Sequence, residues 1–526
     1  MQQGESLIEH GPRLVIITVT AVCCALLEVI DTTIVNVALN SMRGGLGATL
    51  SEISWVITAY SLANVIIIPL TNWLSQQFGR RNYFAVSIIL FTVCSFLCGN
   101  ATSVGELIIF RFIQGVGGGA LLVTSQTIIT ESWPPEKRAM AQAIYVLGII
   151  VGPTLGPPLG GYIVDNFSWP FIFYINIPIG IIATLLTLIY VKSPVYGEKR
   201  SSSEIDWLGI ALLTIGISSL QYVLEKGQED DWFNSSLIIV LSISAFLGLY
   251  LFIWRQLETK FPVMNLRVLK NGNLRMGVAL SFVLGFGGYG STFVVPLFTQ
   301  SLLGWSAQQA GVLQLPSAIF TAVMMPVVAT LIHKGIQQKD LIATGMFIFY
   351  VFCMLCYKII VPDTSSGDFF WPLIVRGIGL GLLSVPISTV ALSTLEGKEI
   401  GEGAALTGMM RQLGGSFGIA LISTYLSRQT SIHRINLISH LKADDPAVQS
   451  RVSRLADVAS RNGLDSLSSR QVAYQLLDKS VTTQASLLSY MDIFLMVAAV
   501  FIIFVPLTLL FVKKSKGKVS MADAGH

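Results

Sequence analysis

Two carboxylates stand near the middle of the first long apolar run of the chain. The run is 14–39, LVIITVTAVCCALLEVIDTTIVNVAL, and the acids are Glu28 and Asp31. A helix of about 20 apolar residues crosses a bilayer. An acid at its centre costs roughly 2.5–3.5 kcal/mol on insertion scales. Three residues apart, the two acids share one helical face. Acids so placed bind and release protons or hold a cation. Arg111 stands in the fourth apolar run, with Gln114, Gly115 and Gly118 on its face at i+3, i+4 and i+7. A guanidinium does not shed its charge in a protein. Within a bundle it needs an acid, a carbonyl or water, and Glu28 and Asp31 are the obvious acids. An arginine favours the ionised form of a neighbouring carboxylate, and desolvation opposes it. Such a balance lets protonation switch with access to either side. A fixed ion pair serving only the packing is the other reading of the same residues.

Three further motifs are spaced for conformational work. The fifth run, VLGIIVGPTLGPPLGGYI, repeats Gly148, Gly152 and Gly156 every four residues and continues with Pro157, Gly160 and Gly161. Small residues at this spacing let helix backbones approach, and proline bends a helix. Close packing alone accounts for the pattern. Between the second and third runs, TNWLSQQFGRRNYF carries Gly79, Arg80 and Arg81 in a short turn. They read either as a conformational gate or as ordinary basic punctuation of a cytoplasmic loop. In the twelfth run, LIVRGIGLGLLSVP places Arg376 just inside the apolar stretch; with Arg411 in the run that follows, it is the candidate charge of the second half.

The elements that must position these residues are membrane helices. The chain has 526 residues, 52% hydrophobic and 12% charged, against about 25% charged in soluble proteins. Apolar runs give fourteen spans, near 14–39, 54–74, 82–101, 106–130, 140–163, 171–191, 207–224, 236–254, 274–298, 307–332, 341–361, 369–394, 403–427 and 487–512. One set of short loops collects Arg80, Arg81, Lys137, Arg138, Lys192, Lys199, Arg200, Lys260, Arg267, Lys270, Lys334, Lys339, Lys398 and the tail lysines Lys513, Lys514, Lys516 and Lys518; the opposite short loops hold little beyond Arg43 and Lys226. The basic side is expected to be cytoplasmic, with both termini inside. The stretch 428–486 falls on the other side and carries apolar residues at helical spacing, which predicts a structured extracytoplasmic subdomain. The expected division is 1–191, a six-helix bundle; 192–260, a linker and accessory two-helix hairpin; 261–427, five helices of a second bundle; 428–486, the outer subdomain; and 487–526, the last span and tail.

Other chemistries find little support. The net charge of +4 is small and carries no sign of nucleic-acid binding. All six cysteines sit in apolar runs, so Cys353-x-x-Cys356 reads as a pair of small buried hydrophobes. The five histidines are scattered through loops and tails, which predicts no metal site. There is no phosphate-binding loop to make ATP the energy source. No cofactor and no enzymatic activity are expected, and no cleavable signal peptide is evident.

IIFRFIQGVGGGALL in the fourth run and LIVRGIGLGLLSVP in the twelfth are alike, an arginine followed by close glycines. With spans seven and eight as an insertion, they occupy matching places in two six-span halves. At these residues the chain resembles the major facilitator superfamily, and within it the fourteen-span drug:proton antiporter branch. IDTTIVNVAL (30–39) resembles the branch's first-span motif, with Asp31 and Asn36 in place and Asn40 where Pro is usual. RFIQGVGGG (111–119) is similar to the proton-linked arginine motif, GPTLGPPLGG (152–161) to the antiporter motif, and WPFIFYINIPIG (169–180) to the entry of span six, with Pro170 where Arg is common. After span two, Asn72 and Gln76 stand where the family has Gly and Asp, while Gly79, Arg80 and Arg81 remain. The resemblance implies an all-α polytopic membrane protein of the major facilitator fold, two six-helix bundles plus two extra central transmembrane helices. It implies proton-coupled efflux of lipophilic cationic or neutral drugs by alternating access, from a bacterial inner membrane. Asp31, Glu28, Arg111, Asn36 and Gln114 would then serve proton coupling and substrate binding. MQQ at the start, DWLGI (206–210), KGQEDDWF (226–233) and the long outer segment resemble inner-membrane pumps that work with a periplasmic adaptor and an outer-membrane channel. The alternatives are an exporter of anionic amphiphiles such as fatty acids or bile salts, served by Arg111 and Arg376, and a channel or non-transporting receptor.

Overall fold

The computed structural model describes residues 7–194, 205–442, 444–461 and 464–511; they are almost wholly helical, and none of them lies in a strand. Lys199, Arg200, the tail lysines Lys513, Lys514, Lys516 and Lys518, and both termini lie outside the described residues. The first half comprises α1 (Gly11–Leu46), α2 (Leu50–Phe78), α3 (Arg80–Gly99), α4 (Val104–Ser132), α5 (Arg138–Asn166), and α6 (Phe171–Tyr174) leading into α7 (Asn176–Tyr190). A hairpin follows, α8 (Trp207–Lys226) and α9 (Ser236–Glu258). The second half comprises α10 (Gly272–Ser301), α11 (Ala307–Leu313) leading into α12 (Leu315–His333), α13 (Gln338–Ile359), α14 (Phe370–Leu392), α15 (Lys398–Ser439), α16 (Pro446–Arg461) and α17 (Ser466–Phe511). Three helix starts carry well-formed side-chain caps. Thr49 and Glu52 form a capping box on α2, Ser103 caps α4, and Ser306 with Gln309 boxes α11.

Among the described residues, twelve helices are long and apolar enough to cross a bilayer. The other two expected spans, 140–163 and 403–427, lie within α5 and α15. Both are glycine-rich and pack between the halves, α5 on α12 and α14 and α15 on α2 and α4; five residues of the α5 run lie outside what is described of side chains.

The two halves repeat one packing plan. In the first, α1 packs on α5, α4 and α7, α2 on α4, and α3 on α4 and α7; in the second, α10 packs on α15, α14 and α17, α12 on α14, and α13 on α14 and α17. The contacts between halves follow the same two-fold logic: α5 meets α12 and α14, and α15 meets α2 and α4. A buried cluster at the end that carries Arg80 joins Ile17, Ile128 and Tyr145 of the first half to Met325, Val328 and Leu382 of the second. Cys353 and Cys356 are fully buried in the aromatic core of the second half, where Phe349 stacks on Phe501 with ring centroids 4.2 Å apart.

The hairpin is braced at one end and straddles the halves at the other. Asp206 caps α8 through the Gly209 N–H and accepts from Arg255 at 2.6 Å and Gln256 at 2.8 Å. Burial pushes its carboxyl up, but those hydrogen bonds outweigh burial and hold it below the ordinary aspartate range. At the far end of α8, Lys226 donates to Ser54 of α2, while Gln221 donates to Ser416 and Trp232 to Thr424, both of α15.

Most described residues of 428–486 are helical. α15 runs on past 427 to Ser439, α17 starts at Ser466, and α16 packs along α17. Val452 and Ala459 of α16 are buried, and Arg434 of α15 pairs with Asp478 of α17 at 2.7 Å. The end of an apolar run marks the end of the bilayer, whereas helical periodicity continues through Ile432, Ile435 and Ile438.

Candidate functional site

Asp31 and Glu28 are both buried on α1, yet they serve different neighbours. Asp31 is 0% exposed and Arg111, from α4, is 1% exposed. Arg111 Nη1 donates to Asp31 Oδ2 at 2.5 Å and to Gln114 Oε1 at 2.8 Å; its Nε donates to the Val56 carbonyl at 3.3 Å. The guanidinium lies over the Tyr60 ring, 4.1 Å from its centroid, a cation–π contact. Asp31 Oδ1 accepts from Asn176 at 2.9 Å and from Gln114 at 3.2 Å. Ser95 closes the ring, accepting from Gln114 Nε2 at 2.7 Å and from Asn176 at 3.3 Å. Five helices, α1, α2, α3, α4 and α7, thus meet in one cluster around this carboxylate, which α4 and α7 bond directly.

Glu28 has no such cation. Its Oε1 accepts from Asn64 Nδ2 of α2 at 2.7 Å, and no ion pair forms at Glu28 among the described residues. Arg111 therefore chooses Asp31 and leaves Glu28 with a neutral amide. A buried carboxylate without a counter-charge is costly when ionised, so proton exchange is the chemistry this position permits. Asn36 is exposed, and the structure does not bring it to the cluster.

The glycines of the fifth run hold α1 in place. A Cβ at Gly152 would meet Val29 Cγ1 at 2.7 Å, and one at Gly160 would meet Ile34 Cγ1 at 2.8 Å; Gly148 faces Val22, and Gly156 faces Thr33. Asp31 lies between these contacts. Gly161 faces open space, and the side chain of Pro157 lies outside what is described. On α4, Gly115 lets the helix lie against the Tyr60 carbonyl, and Gly118 makes room for the Tyr60 hydroxyl.

The turn at Gly79 does something the sequence did not reveal. Gly79 has φ 82°, a conformation that favours glycine. Arg80 is buried and makes a two-pronged pair with Glu131 at the end of α4, with Nη2 to Oε1 at 3.1 Å. Arg81 is exposed, and its backbone N–H donates to Ser193. Where the family pattern has Gly and Asp, Asn72 lies against Gly401 of α15, a contact across the halves. Glu131 was legible only as an acid at the end of an apolar run. Asn64, Ser95 and Asn176 were legible only as polar residues inside such runs.

In the second half, Arg376 of α14 is buried. Its Nε donates to Ser291 at 3.0 Å and its Nη1 to Gln314 Oε1 at 2.6 Å; Nη2 bonds to Thr292. Arg411 is half-buried on α15 and reaches Ser388 at 3.4 Å. The structure does not bring Arg376 or Arg411 to Asp31 as hydrogen-bond partners.

Paired six-helix halves, a central inserted hairpin and an acid–arginine cluster enclosed in one half define a membrane transporter fold. The chain belongs to the Major Facilitator Superfamily, whose family model matches residues 21–419. It is similar to the multidrug export protein EmrB of Escherichia coli, 33% identical over 508 residues and 96% of each chain. It is similar to the fatty acid resistance protein FarB of Neisseria gonorrhoeae, 32% identical over 498 residues, 94% of this chain and 96% of that one. Among solved structures, the proton:xylose symporter XylE shares the fold with a TM-score of 0.59 at 15% identity, covering 94% of this chain and 96% of that one.

Proposed function

We propose that this chain exports lipophilic compounds in exchange for protons by alternating access, with Asp31 and Glu28 as the proton-linked carboxylates and Arg111 as the group that sets their balance. One observation carries the reading. Asp31 is paired with a buried guanidinium, and one turn away a second buried carboxylate has only a neutral partner. A site with that asymmetry holds one charge fixed and leaves one free to exchange, as proton coupling requires. A relative named for multidrug export supports the direction of transport. The Arg80–Glu131 pair and the packed cluster at the same end serve as the cytoplasmic closure, which opens when the halves rock. The outer extension of α15, α16 and α17 is the surface for a periplasmic adaptor in a two-membrane cell. A second reading, export of carboxylate-bearing amphiphiles, is favoured by the relative named for fatty acid resistance and by Arg376.

The test is transport in proteoliposomes under an imposed pH gradient, with a cationic dye as substrate. Asp31→Asn and Glu28→Gln should each lower pH-driven export at least tenfold while the purified protein stays folded. Full export by both variants, or dye flux that ignores the gradient, would sink the assignment.

A further inference from the structure

Arg376 is only 4% exposed and pairs with no carboxylate among the described residues. Its acceptors are Ser291, Thr292, Ser317 and Gln314 side chains and the Gly288 carbonyl, all of them neutral. The first half treats its corresponding arginine differently. Asp31 is the twenty-first residue of α1, and Thr292 is the twenty-first of α10. Each bonds the arginine of the matching helix, α4 or α14. A hydroxyl thus stands in the second half where the first half has a carboxylate, and the second guanidinium keeps its charge.

Beside it lies an unused donor. Gln314 must present Oε1 to Arg376, because a guanidinium only donates. Its Nε2 is therefore left over beside that contact, buried and without a partner. A permanent cation and an orphan amide donor side by side ask for an acceptor that also carries negative charge. Water satisfies the amide alone.

We propose that Gln314 Nε2 and the Ser317 hydroxyl, beside the uncompensated charge of Arg376, form a binding site for one small monovalent anionic group, a carboxylate head or a halide, reached when α10, α12 and α14 part. The site stands on this geometry, whereas a transported carboxylate as its occupant rests on the export reading.

The test is thermal melting of the purified full chain, followed by tryptophan fluorescence in sulfate buffer at constant ionic strength. Chloride and hexanoate are titrated separately, with hexanamide as the uncharged control. The expected result is a saturable rise of several degrees with at least one anion and none with hexanamide. Arg376→Gln should abolish it. Thr292→Asp should also abolish it, because the variant gives the guanidinium its own carboxylate; it keeps the assay decisive where Arg376→Gln does not fold. A rise with chloride alone assigns an inorganic anion, and a rise with hexanoate assigns a carboxylate. No rise with either anion, or an equal rise in Thr292→Asp, overturns the proposal. A chain that binds the anion but exports nothing overturns the export reading and leaves the site standing.

Discussion

Arg111 is held by its shape as much as by its charge. It bonds Asp31, Gln114 and the Val56 carbonyl at once and lies flat over Tyr60. Lysine supplies a compact ammonium in place of the planar fork and loses the stacking. Arg111→Lys should therefore cut export at least tenfold while the protein still inserts and purifies; wild-type antiport in proteoliposomes would show that a point charge suffices. The types and spacing of Glu28, Asp31, Arg111 and Gln114 were readable in the sequence. Which acid the arginine chooses was not, because that depends on what α2, α3 and α7 bring alongside. Asn64, Ser95 and Asn176 decide it, and nothing local marks them off from other polar residues in apolar runs. Glu131 stayed unread for the same reason, since its partner is 51 positions away.

Helix α5 shows what a glycine ridge does for the helix it faces. Gly148, Gly152, Gly156 and Gly160 lie against the stretch of α1 that carries both acids, while Gly161 turns away. Overpacking a tight contact costs about 1–3 kcal/mol. Gly152→Val should push α1 off α5, lower the melting temperature by several degrees and reduce export, whereas Gly161→Ala should keep both within twofold or a degree of wild type. Equal effects from the two substitutions would refute the ridge. The four-residue repeat made this legible, because the period alone puts 161 off the row. Helix lengths were less legible. The outer ends of α15 and α17 are polar enough to read as loop, and only the continued apolar spacing within 428–486 betrayed them.

Viewed whole, the molecule is two matched halves, a hairpin that touches both, and a helical projection from the second. The match of Arg111 to Arg376 and the excess of apolar runs over twelve made this plan readable; the places where the halves meet had no local signal. If the projection serves only a partner outside the membrane, excising 440–465 and joining the shortened α15 and α17 by a flexible linker should leave pH-driven flux in proteoliposomes within twofold of wild type. Drug resistance of a two-membrane cell should fall to the level without the pump. Resistance that survives the excision would remove the docking role. The projection has a mechanical side as well. α15 and α17 have 42 and 46 residues, about 60–70 Å each at 1.5 Å per residue, against a bilayer core of about 30 Å. Beyond the expected spans α17 runs on for 21 residues and α15 for 12, about 30 Å and 18 Å of rigid continuation of what lies within the membrane. A tilt of the second half by about 10° would sweep a tip roughly 30 Å out by about 5 Å. On the proposed function, a partner seated there would feel each stroke of the cycle as displacement, and the projection would be a lever arm as well as a foothold.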